Sequence, residues 1–131
     1  MQIMMADLMA NENIETSLLI LPENFEDFYD YLNLIDEIEE QIISPLYEGV
    51  FQIASFHPQY LFEGSTDNDP ANYTNRSPYP MIHILRESSL DVAIDSHPGT
   101  EKIPDNNIAF AKMKGIHEMK RLRELCFGIK E

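Results

Sequence analysis

Phe51-Gln-Ile-Ala-Ser-Phe-His-Pro58, and after a polar run Asn72-Tyr-Thr-Asn-Arg-Ser-Pro-Tyr-Pro-Met-Ile-His-Ile-Leu-Arg86, form the stretch from which the fold is read. It predicts a buried strand, a long loop and a helix. Hydrogen-bonding side chains crowd the loop, where a core has no use for them. The flanking segments are read outward from here. Thr16-Ser-Leu-Leu-Ile-Leu21 is a short apolar run stopped by Pro22, which predicts a fully buried strand. Asn24 is the expected cap of the next helix, with Asp27 at its third position. Phe25, Phe28, Leu32, Ile35, Ile38 and Ile42 mark its apolar face, and Asp30, Asp36, Glu37, Glu39 and Glu40 its polar face. Ser44-Pro45 ends it, and the second strand follows as Val50 to Ser55.

Strand, helix, strand in this order implies a β-α-β unit with a right-handed crossover and a parallel pair. The expected fold class is therefore α/β: a layered fold with a small, mainly parallel sheet, flanking helices and a C-terminal helical region. Apolar residues on both strand faces imply a sheet covered on both sides. Ser77-Pro78 reads as a helix cap and first position, with a helix from about Pro80 to Ile94. Asp105 or Asn106 caps a last helical region that Gly115 breaks in two, and Ile116, Met119, Leu122 and Cys126 pack from its second half. Residues 2–11 form a short N-terminal helix with Met4, Met5, Leu8 and Met9 on one stripe, a core filler. Two strands are too few for a stable layer, so further strands, a second copy or a further segment must complete it.

At 131 residues the chain is expected to be one domain with a modest core. Its composition, 44% hydrophobic and 24% charged, is that of a globular protein. No apolar run is long enough to span a bilayer, and Met1-Gln-Ile-Met-Met-Ala-Asp7 has no basic residue to make a secretory signal. The single cysteine, Cys126, excludes an internal disulfide and points to a reducing, cytoplasmic setting. The net charge of −14 is uneven. Residues 1–101 hold 19 Asp/Glu against Arg76 and Arg86 alone, whereas residues 102–131 carry a net +3. So acidic a body disfavours nucleic acid as a partner, because affinity for phosphate backbones needs many cations. The basic tail is expected to lean on the acidic body.

Glu15-Thr-Ser-Leu-Leu-Ile20, Phe51-Gln-Ile-Ala-Ser-Phe-His-Pro-Gln-Tyr60 and Asn72 to Glu87 resemble the bacterial Domain of Unknown Function 1415 family over about residues 15–126. The family's usual form begins upstream, with a Cys-Pro-Phe segment that this chain lacks. The resemblance thus implies a shortened member lacking an N-terminal segment. It implies no reaction, substrate or cofactor.

The residues themselves suggest a site. Ligands of open α/β sheets bind at the carboxyl ends of strands, and His57 starts the loop at such an end. Arg76 and Thr74 stand just before the expected helix start near Pro78 to Pro80, where free N–H groups favour an anion. Asn72, Asn75 and Ser77 add donors and acceptors. The sharpest hypothesis is a small anionic molecule held by Asn72, Thr74, Asn75, Arg76 and Ser77, with His57, Arg76 and His83 as catalytic candidates. Against it, Arg76 pairs with an acid while the Asn and Thr side chains cap turns. His83 and Glu87, four apart on the expected helix, with His57 make a weak metal set lacking a spacing-fixed third ligand. His97 and His117 read as structural or exposed, and Cys126 as a packed thiol. Three readings follow: a small enzyme or enzyme remnant acting on an anionic metabolite, a binding module without catalysis, and an interaction protein forming a homo-oligomer.

Overall fold

The computed structural model describes residues 2–43 and 47–128. Among these residues five α-helices and three strands run in the order α1 (Gln2–Ala10), β1 (Thr16–Ile20), α2 (Phe28–Ile42), β2 (Phe51–Phe56), β3 (Met81–Arg86), α3 (Glu87–Ser96), α4 (Ile103–Lys114) and α5 (Ile116–Leu125), with 3-10 turns at Pro70–Thr74, between β2 and β3, and at Thr100–Lys102, before α4.

The sheet order is β1-β3-β2, and both pairings are antiparallel. This overturns the mainly parallel sheet. β1 and β2 do run the same way with α2 between them, but β3 separates them. β3 lies in residues expected to begin a helix. Met81-Ile-His-Ile-Leu-Arg86 alternates across a pleat: Ile82 and Ile84 are fully buried, and the residues between them are half-buried. Period-two burial and two β-branched isoleucines favour a strand, and Pro80 ahead of them carries no helix. The helix begins only at Glu87, whose N–H donates to the Val50 carbonyl. The sheet therefore has the third strand that two alone could not do without.

One face of the sheet carries the core. Ile82 and Ile84 on β3 and Phe51 on β2 pack with Met5 and Leu8 of α1 and Tyr31, Ile35, Ile38 and Ile42 of α2. The methionine stripe is a core filler at Met5, whereas Met9 is 49% exposed. The opposite face is not covered as expected. Leu18 and Ile20 of β1 lie there about half exposed, so β1 is a half-buried edge strand. α3 has no buried residue.

Asp27, not Asn24, caps α2: its Oδ1 accepts from the Tyr29 and Asp30 N–H groups. Phe25 sits before the helix with a left-handed φ of 59°. The stop at Ser44-Pro45 lies outside the described residues. Arg86, at the end of β3, donates to the carbonyls of Leu8, Asn11 and Ile14. A cation there satisfies carbonyls at and beyond the C-terminus of α1 and complements its dipole. Gly115, with φ 84° and ψ 162°, separates α4 from α5 as expected. α4 starts at Ile103, ahead of the expected caps Asp105 and Asn106. Both helices pack on the 3-10 turn at Pro70–Thr74 rather than on the sheet. Arg123 of α5 donates to the Ser77 and Pro78 carbonyls, so the basic tail grips the polar loop. Cys126 is exposed, not packed.

Candidate functional site

The 57–77 loop begins where β2 ends. The Tyr60 N–H donates to the His57 carbonyl, closing a turn with Pro58 at its second position, and the His57 N–H reaches the Asn75 carbonyl. His57 is fully buried. Its Nδ1 accepts from the Gln59 N–H at 3.0 Å, so the ring proton sits on Nε2 and donates to the Phe25 carbonyl at 2.8 Å. Phe28 and Tyr31 stand against the ring at centroid distances of 5.2 and 4.9 Å. Burial pushes the imidazole below its ordinary pKa. The Phe25 carbonyl and the Asp27 charge oppose that shift, and Arg123 adds to it.

Tyr31 joins the same cluster. Phe56 and Met81 are register partners, yet the Tyr31 hydroxyl stands between them, accepting from the Phe56 N–H and donating to the Met81 carbonyl. Burial pushes this phenol up to about 12, and the Phe56 hydrogen bond opposes the shift.

The polar side chains of the loop are mostly spent on the loop itself. Asn72, fully buried, accepts at Oδ1 from the Phe62 N–H and the Ser65 hydroxyl and donates from Nδ2 to the Thr66 carbonyl. Thr74 donates to the Ala71 carbonyl, Asn75 to the Ser55 carbonyl and Ser77 to the Tyr79 carbonyl. No helix starts at Ser77-Pro78: the segment leads straight into β3, so the expected anion-binding helix terminus does not exist there. His83 is likewise on β3, bonded to the Thr16 hydroxyl of the neighbouring strand at 3.0 Å. Glu87 opens α3, so the two do not share a helix face as the metal reading required. Among the described residues, no three His, Cys, Asp or Glu side chains are grouped to hold a metal ion. His97 and His117 are exposed.

Arg76 occupies a different situation. Its side chain is 5% exposed and lies over the Tyr73 ring, 4.9 Å from the centroid. Nε donates to the Tyr60 carbonyl at 2.9 Å, and Nη2 pairs with Asp67 Oδ1 at 3.0 Å. It lines a cleft of about 400 Å³ together with Phe28, Tyr29, Pro58, Gln59, Leu61, Asp67, Tyr73 and Lys120. Three segments meet there: the start of α2, the polar loop and the exposed face of α5. Of the residues expected to form a site, only Arg76 opens onto this cleft. His57 lies behind Phe28, and His83 belongs to the sheet. Tyr29 and Lys120 were not anticipated. Tyr29 had one legible signal, an aromatic off the apolar stripe of α2, and it is 73% exposed. Lys120 had none, because only the tertiary fold brings α5 to the loop.

A second cleft, of about 800 Å³, is lined by Glu23, Glu26, Asp27, Asp30 and Glu37 and by no cation. It repels anions, whatever its size. No helix among the described residues is long and apolar enough to cross a membrane. A family model described as a protein of unknown function, DUF1415, matches residues 1–121. No curated protein and no solved structure matches the chain.

Proposed function

The chain belongs to the DUF1415 family of proteins of unknown function, and from its geometry we propose that it is a binding module for a small anionic molecule. The observation that carries this reading is the cleft in which Arg76 and Lys120 stand among Phe28, Tyr29 and Tyr73. Residues 1–101 have only two Lys/Arg. Arg86 is committed to backbone carbonyls around the end of α1, which leaves Arg76 as the cation of that region facing a cleft. A buried cation at a pocket wall selects anions, and aromatic walls supply contact area at little conformational cost.

Binding is favoured over catalysis because the residues with acid–base chemistry point elsewhere. His57 spends both ring nitrogens on the main chain, and His83 bonds to Thr16 on the sheet. Asn72, Thr74, Asn75 and Ser77 enter the proposal as the frame that holds Arg76, not as ligand contacts. A thermal melt with phosphates and carboxylates tests it, on wild type, Tyr29→Ala and Lys120→Glu. Both variants alter exposed side chains, so folding survives. We expect an upward shift in wild type, about 2.7 kcal/mol at a hundredfold excess over Kd, reduced in both variants. No shift with any anion overturns the reading.

A second reading, self-association, is favoured by β1. It is an edge strand with Leu18 and Ile20 at 49% and 46% exposure, and half of its backbone groups turn away from β3. Light scattering that gives a mass of two chains, unchanged on dilution, supports it. A monomer at all concentrations removes it.

A further inference from the structure

Resting on the ligand-binding reading, we propose that the cleft takes a molecule with an aromatic ring joined to a phosphate or carboxylate, and that this anion displaces Asp67 from Arg76. The two partners of the ion pair are unequal. The Arg76 side chain is 5% exposed and that of Asp67 is 84% exposed. The guanidinium is fixed by the Tyr60 carbonyl and the Tyr73 ring, whereas the carboxylate is held only from the water side. Exposed carboxylates lose little on returning to solvent. The buried guanidinium, by contrast, keeps its Tyr60 and Tyr73 contacts when the carboxylate leaves, and so waits in place for another anion.

Three of the five guanidinium N–H donors are used: Nε on Tyr60, one Nη1 on the Asp67 carbonyl at 3.3 Å and one Nη2 on Asp67 Oδ1. Departure of the Asp67 carboxylate frees an Nη2 donor, which joins the N–H groups unused in the empty site in meeting a planar or tetrahedral oxyanion. Lys120 of α5 adds a second positive charge to the cleft. Apart from Gln59, the rest of the lining is aromatic or apolar, Phe28, Tyr29, Pro58, Leu61 and Tyr73, and a bare anion leaves that surface unused. A ring beside the anion covers it by stacking. Asp67 is then an internal competitor: it neutralises the site when empty and is expelled when the site fills.

Calorimetric titration of phenyl phosphate and inorganic phosphate tests this, with wild type, Asp67→Asn, Asp67→Ala and Glu63→Gln. Glu63 is an exposed acid of the same loop outside the cleft lining, so its variant corrects for loss of one negative charge. We expect phenyl phosphate to bind wild type at least about tenfold more tightly than inorganic phosphate. Each Asp67 variant should tighten phenyl phosphate by about fivefold, the size of a surface ion pair, with Glu63→Gln unchanged. Asp67 variants that bind no more tightly than wild type, that are matched by Glu63→Gln, or that lose a cooperative melt overturn the displacement while the site stands. Equal affinity for the two phosphates overturns the aromatic requirement. No heat with any protein sinks the ligand-binding reading itself.

Discussion

Both ring nitrogens of His57 are committed to main-chain groups, and protonating Nδ1 would set a donor against the Gln59 N–H donor. The folded state therefore holds the imidazole neutral, with its pKa below the ordinary 6.5. The sign follows directly. Below about pH 6.5 the unfolded chain takes up a proton that the folded chain refuses, so this residue makes stability fall as pH drops from 6.5 toward the folded pKa. His57→Ala should remove that acid dependence and cost about 3 kcal/mol, since the Phe25 carbonyl and Gln59 N–H lose partners in a buried place. Urea melts at pH 5 and 7.5 on both proteins check this. Tyr31 predicts the opposite limb. Its phenol is raised to about 12, so the unfolded chain loses a proton first and stability falls between pH 10 and 12, by up to ~3 kcal/mol. Tyr31→Phe should abolish that limb while costing about 2 kcal/mol at neutral pH. The sequence made His57 and Arg76 conspicuous by position, one at the carboxyl end of an expected strand and the other just before an expected helix start. Which of them opens onto a cleft is decided by Phe28 and Tyr31 packing against the His57 ring while Arg76 is left at the cleft wall, and no local pattern contains that.

At the scale of elements, the misread segment is the instructive one. Residues 81–94 hold a strand and then a helix, and their apolar positions serve both periods: Ile82 and Ile84 suit a pleat, while Ile84, Leu85 and Val92 look like a helical stripe. The strand wins because it has two neighbours to bond with, Leu19 opposite Ile82 on one side and Ile53 opposite Ile84 on the other. That gain is tertiary, so propensity alone did not reveal it. The helix pair α4–α5, by contrast, was legible from Gly115, the residue whose conformation an L side chain rarely adopts. Its φ of 84° and ψ of 162° with nothing within 4 Å of an added Cβ make Gly115→Ala a purely conformational test. We expect a loss of about 1–3 kcal/mol. The loss of ligand should exceed the loss of stability, because α5 carries Lys120 to the cleft.

For the whole molecule, a three-stranded antiparallel sheet with β3 in the middle and one face on α1 and α2 places the slowest exchange in β3. The amides of Ile82 and Ile84 should resist hydrogen exchange longest, and those of Leu18 and Ile20 on the open edge should exchange far sooner. A parallel β1–β2 pair would have protected β1 and β2 alike. The same architecture explains the location of the cleft. The sheet's core face is filled, so the loop at its end, clasped by the basic C-terminal helices, is where polar groups and aromatic rings are left facing water together.

The most direct test is an amide-shift titration of the isotope-labelled chain with phenyl phosphate. Binding at the cleft predicts saturable shifts at Tyr29, Gln59, Leu61, Asp67, Tyr73, Arg76 and Lys120, with Thr16, His83 and Glu87 unmoved. Shifts centred on His83 and Thr16, or none at all, would contradict it.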